Sequence, residues 1–288
     1  MNNPLRQSYR IKPLSAYLKK SVKFYDIDNP LVAQIVFVIL LALTFAGFIL
    51  LSPYFHNIGI IYEQIGNRLL EQIDNLNNFD LNIALLNSDL YLNLVNLLAT
   101  ASGILILTKA ISFLVSLFYG FWYYFSLTEP EMPGKKRAVL FFKRLPKIII
   151  FNILFYMGIY VAGIAFFVVM GIISAFVPFL LFIIALVPLG IILVFKLFAF
   201  KDLLILEFNP GIFRNLKKSL DLTKGCRKNV IMNGLWPFIM GWLISYLATG
   251  FGNEMISLLI ISFLDVIILM VTQRLNVLMF IDALGPES

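Results

Sequence analysis

An all-α, polytopic transmembrane bundle of about six spans is the fold class this sequence predicts, and three observations predict it. Sixty per cent of the 288 residues are hydrophobic and only 14% are charged, where a soluble globular domain is nearer half apolar and a quarter charged. The apolar stretches run on without the period-two alternation of a barrel strand. Lysine and arginine gather in three segments that separate these stretches. A bilayer core about 30 Å thick takes roughly 20 apolar residues per helix. Inside it every backbone donor and acceptor must be paired, which helices achieve within one segment. No polar stretch is long enough for a separate soluble domain, so residues 1–288 read as one integral membrane domain.

Residues 1–30 form a basic interfacial segment. Leu14, Leu18, Val22 and Tyr25 recur at helical spacing with Lys19, Lys20 and Lys23 between them, the pattern of a helix lying on an anionic leaflet. Asn29-Pro30 breaks the chain before a first span at about Leu31–Leu51. From Pro53 the composition turns acidic and asparagine-rich, so 53–98 reads as an external amphipathic segment folding back on the membrane surface. Ile61, Ile65, Leu69, Ile73 and Leu76 mark its apolar face. The second span is placed at about Thr100–Phe125, with Trp122, Tyr123 and Tyr124 in the aromatic belt at its end. Thr128 to Lys147, carrying Pro130, Pro133 and Gly134, reads as a turn-rich basic loop. Spans three (about Ile148–Ala175) and four (about Pro178–Phe200) make a tight hairpin. In the basic segment 196–229, Asn209-Pro210-Gly211 is a break and Ile212 to Lys224 an interfacial helix ending at Gly225. Its apolar stripe is Ile212, Phe213, Leu216 and Leu220, with Arg214, Lys217 and Lys218 left wet. Spans five and six follow at about Val230–Thr249 and Met255–Thr272.

Six basic residues precede span one, six lie between spans two and three, and eight between spans four and five. The opposite connections hold only Arg68. Such alternation places both termini in the cytoplasm of a multi-pass plasma (inner) membrane protein. Because the net charge of +7 sits in these segments, it points to anionic lipid headgroups as partners and not to nucleic acid. The expected headgroup contacts are Lys19, Lys20, Lys23, Arg214, Lys217, Lys218 and Lys224.

Within the spans Asp265 stands out. Ten residues into span six, at 1.5 Å each, it lies about 15 Å deep, at the midplane. An intramembrane acid is costly and marks a functional site by default; the alternative is a protonated carboxyl bonded to a neighbouring helix. Lys109 falls about halfway along span two, either as the partner of Asp265 or snorkelling to the surface. Arg274 reads as an interfacial anchor. One cysteine, Cys226, excludes an internal disulfide, and one histidine, His56, leaves no multi-histidine metal site. No catalytic constellation, metal or cofactor is expected.

The stretch Phe208-Asn-Pro-Gly-Ile-Phe-Arg-Asn-Leu-Lys-Lys-Ser219, then Lys224-Gly225, Gly241-Trp242 and Thr249-Gly250-Phe-Gly252, resembles a pattern in bacterial six-helix membrane proteins. These are the YciC-like inner-membrane proteins and the membrane domain attached to some glycerophosphodiester phosphodiesterases. The resemblance covers about residues 197–254 and implies an envelope membrane protein without an assigned reaction. The phosphodiesterase catalytic domain is absent from this sequence, so that activity does not carry over. The expectation is a non-enzymatic component, a scaffold or partner subunit in envelope or lipid organisation, paired with another membrane protein or with copies of itself. The alternative is a small transporter or lipid-translocating protein using Asp265.

Overall fold

The computed structural model describes residues 11–74, 89–174, 190–248 and 253–285, and every regular element among them is helical. Helix α1 covers Leu14–Val22, α2 Pro30–Asp74, α3 Asp89–Thr128 and α4 Gly134–Ser174. Residues 190–197 are helical. Then follow α5 (Lys201–Phe208), α6 (Ile212–Thr223), α7 (Arg227–Ala248) and α8 (Glu254–Leu284). Among the described residues four helices are long and apolar enough to cross a membrane: most of α2 (Pro30–Asn67), α3, α4 and α8. Most of the expected fourth span lies outside the described residues.

Two sequence expectations need correction. The helix opened by Pro30 does not end at Pro53 but runs 45 residues to Asp74. Proline removes one N–H and crowds the preceding turn, yet within apolar helices the freed group is accommodated by local adjustment. Packing favours continuity here, because Leu51, Ile58 and Ile61 on either side of Pro53 share one buried cluster with Leu94 and Ala101 of α3. Gly47 faces Thr108, while Asn57 and Gln64 lie with Leu90 and Leu97, so the two helices run antiparallel. The amphipathic segment thus continues the span as one rod as far as Asp74; the rest of its proposed fold-back, 75–88, lies outside the described residues. The basic stretch Thr128–Lys147 is likewise no extended loop. Only residues 129–133 are non-helical. Proline is tolerated at a helix entrance, where no N–H partner is lost: the Pro133 carbonyl accepts from Lys136 and Arg137, and Pro146 lies within α4.

The chain divides into two compact units, Met1–Ala33 with Leu117–Gly241 and Ile268–Ser288, and Gln34–Ser116 with Trp242–Ile267. The second is the α2–α3 pair with the adjoining parts of α7 and α8. There Phe37 meets Phe263 edge-on at 5.5 Å, and a Cβ on Gly47 would come within 2.5 Å of the Thr108 methyl. In the first unit Tyr119, Phe121, Phe151, Phe200 and Phe280 are fully buried. Its short helices α5 and α6 are joined through Asn209, whose left-handed backbone (φ 47°) closes α5. Gly225, with φ 83°, follows α6 in the conformation that favours glycine after a helix end, as the sequence led one to expect.

Candidate functional site

Three clusters of charge stand out. In the α2–α3 unit, Lys109 Nζ lies 2.7 Å from Asp265 Oδ2, joining α3 to α8. Of the two readings open for Lys109, the structure shows pairing. Both side chains stay partly accessible, Lys109 at 53% and Asp265 at 34%.

A second cluster, in the other unit, escaped the sequence reading. Lys201 and Asp202 open α5 and are 5% and 8% exposed. Lys201 donates to Asp202 Oδ2 at 2.6 Å and to Asn152 Oδ1 at 2.5 Å. Asn152 of α4 donates in turn to Asp202 Oδ1 at 2.7 Å and to the Ile148 carbonyl at 3.0 Å. Three aromatic rings, Phe151, Phe155 and Tyr156, lie within 6.0 Å of the ammonium, where ring faces attract a cation. The signal was present in the sequence: an adjacent Lys-Asp flanked by Phe198-Ala-Phe200 and Leu203-Leu-Ile205 is too apolar a setting for a solvated loop.

Helix α6 docks on this cluster by its polar face. Asn215, Ser219 and Thr223, four residues apart on one stripe, are fully buried, and Asn215 donates to the Lys201 carbonyl at 2.8 Å. Asn215 Oδ1 and Ser219 Oγ are buried without a hydrogen-bond partner. Of the expected apolar stripe, Ile212 and Phe213 are exposed, Phe213 at 87%, while Leu216 and Leu220 are half-buried. Among the headgroup candidates on and after α6, Arg214, Lys217 and Lys224 are exposed, while Lys218 sits 3.5 Å from the centre of the Phe208 ring. Two basic residues of α4 have partners within the protein. Lys147 reaches the Asn209 carbonyl at 2.9 Å and Arg144 the Ile205 carbonyl at 3.2 Å, closing the electronegative C-terminus of α5.

The third cluster surrounds the end of α1. Lys19, Lys20 and Lys23 are exposed, as expected. They share the wall of a cavity of about 600 Å³ with Asp26, Asp28 and Arg274. Arg274 is only 3% exposed, so it is not the surface anchor read from the sequence. Its guanidinium donates to the carbonyls of Lys23 and Asp26 and stacks 3.9 Å from the centre of the Tyr123 ring. Asp28 accepts from the buried Arg137 and, at 3.1 Å, from Trp122 Nε1. Gly134 makes room for this arrangement, since a Cβ there would lie 2.8 Å from the Trp122 ring.

No family model, curated protein or solved structure matches this chain.

Below the third cluster, Tyr17 donates to Asp282 Oδ2 at 2.7 Å and accepts from the Lys12 backbone N–H at 2.9 Å. Burial first, then the Asp282 hydrogen bond, pushes its phenol well above the ordinary range. It acts as a neutral donor fastening α1 to α8. Asn229 and Asn233 of α7 donate to the Ile11 and Lys12 carbonyls at 2.7 and 2.9 Å, holding the chain just before α1. Tyr17, Asn229 and Asn233 thus each donate to a carboxylate or a backbone carbonyl within the same unit. The chemistry they provide is fastening.

Proposed function

We propose that this chain is a non-enzymatic six-span component of the plasma (inner) membrane with both termini cytoplasmic, acting as a scaffold or partner subunit in envelope or lipid organisation. The observation that carries the reading is the Lys109–Asp265 pair. An ammonium locked 2.7 Å from its carboxylate is a fixed cross-brace rather than a carrier poised to exchange protons. A pair that is also half accessible on the flank of apolar helices would be costly to leave against hydrocarbon. A neighbouring membrane helix, from another protein or a second copy of this chain, relieves that cost by covering it. The exposed Ile212 and Phe213 of α6 and the exposed lysines of α1 support contact with a lipid surface. The resemblance to YciC-like membrane proteins agrees with this class and adds no reaction.

The test is the mass of the particle in lipid nanodiscs, compared with a variant carrying Lys109→Met and Asp265→Leu together. The reading expects the wild type to exceed one chain and the variant to dissociate to a single chain. A lone wild-type monomer would overturn it. So would proton flux in reconstituted vesicles that is abolished by Asp265→Asn, because that result belongs to a transporter.

A further inference from the structure

We propose that the cavity at the end of α1 is a binding site for one phosphate-bearing anion, and that a phospholipid headgroup or a soluble phosphate ester supplies it. Four cationic side chains, Lys19, Lys20, Lys23 and Arg274, line it against two carboxylates, Asp26 and Asp28. The negative charge of Asp28 is taken up from behind by Arg137, which is 1% exposed and held as well by the Glu129 and Pro130 carbonyls at 3.2 and 3.0 Å. Asp26 alone is left to offset the four cations. Among the described residues none of the three lysines forms a salt bridge. Their charge is available.

Arg274 supplies the fixed element. It is nine-tenths buried, and two of its donor contacts are spent on the chain that follows α1. Its Nε–H is buried with no partner. Phosphate oxygens, like carboxylate oxygens, match guanidinium geometry. The rest of the wall fits a ligand with a polar head and an apolar or glycerol-like body: Ser126 and Tyr123 face it together with Leu127 and Leu278. A volume of about 600 Å³ falls within the range of small-molecule sites and exceeds what a bare phosphate fills.

A lone basic helix on a membrane surface attracts acidic lipid diffusely, by charge and in proportion to it. An open-mouthed cavity of defined size with a buried arginine in its wall takes one molecule and saturates. The inference rests on the reading of α1 as a lipid-surface helix only in naming a headgroup as one source.

The experiment is calorimetric titration of the full chain in non-ionic detergent with three probes: short-chain phosphatidylglycerol, glycerol 3-phosphate and inorganic phosphate. Saturable binding of one equivalent of either ester supports the site and tells which source fills it. Lys19→Gln, Lys20→Gln and Lys23→Gln together are expected to weaken binding on the order of a hundredfold, at roughly fivefold per lysine. Ser126→Trp keeps every charge but places a bulky ring in the cavity, and is expected to weaken saturable binding. Wild-type affinity in Ser126→Trp, or no saturable binding of any probe, would overturn the proposal. These readouts are independent of particle mass and proton flux, so their failure leaves the scaffold reading standing.

Discussion

Asp202→Asn is expected to destabilise the protein by about 3–5 kcal/mol, the cost of removing one partner from a buried ion pair. The structure places the cost at that end of the scale. The Lys201 and Asp202 side chains are 6% and 11% exposed, so little water can reach the stranded ammonium, and Asn152 cannot supply the missing charge. Lys201→Met should cost as much, since it strands the carboxylate with Asn152 as its nearest donor. Replacing both ions with apolar residues, Lys201→Met with Asp202→Leu, removes the uncompensated charge and should recover at least half of the loss, because apolar replacement of a whole buried pair is often neutral. The single cysteine provides the assay. Cys226 is 4% exposed, so a thiol-reactive fluorophore in detergent reads unfolding as the sample is heated. At about 2 °C per kcal/mol, each single variant should melt on the order of 6–10 °C below wild type. Single variants melting with wild type, or a double variant no better than the singles, would refute the argument that this buried pair holds α5 on α4.

Burial raises the Glu207 carboxyl above its ordinary value, so the folded chain holds that proton more tightly than the unfolded one. Its contribution is therefore present at acid pH and is lost as pH rises from the ordinary glutamate range through the raised value. Glu207→Gln should flatten that decline, seen as a melting temperature at pH 8 at or above wild type. Gly47→Leu should push Thr108 out of its place against α2 and cost about 1–3 kcal/mol, as overpacking does; the same melting assay measures it. A spin label at Phe213→Cys in a Cys226→Ala background should be more accessible to oxygen than to a water-soluble nickel complex in vesicles. The reverse would place the outward face of α6 in water.

Helix type and the closure of α6 were legible because they rest on composition and on single residues. The run of apolar residues makes each span, and Gly225 ends α6 by conformational preference alone. The Lys109–Asp265 contact was legible as one of two options, because depth in a span follows from counting residues. Pro53 misled because a proline's effect depends on what packs across it, and the Leu51–Ile61 cluster with α3 is a contact between distant parts of the chain. The burial of the Lys-Asp of α5 is signalled by its apolar flanks, although a charge count over the segment does not show it. The inward polar face of α6 could not be read from its own periodicity. Amphipathicity names two faces, and only the Lys201 carbonyl waiting for Asn215 decides which of them turns to the protein. Arg274 was misassigned for a similar reason, since the carbonyls it serves come from residues 23 and 26.

Helix α2 has 45 residues, which at 1.5 Å each is a rod of about 67 Å. With about 20 residues immersed in hydrocarbon, roughly 37 Å of it is left over as a spacer. Its reach is then set by peptide geometry and not by any particular side chain. Excising eleven residues, three full turns, from both α2 and its antiparallel mate would draw the tip inward by about 16 Å while keeping the same stripe facing the same way. Anything that must meet the far end of this rod at a fixed height would register the shortening, whereas a molecule engaging only the basic end near α1 would be indifferent to it.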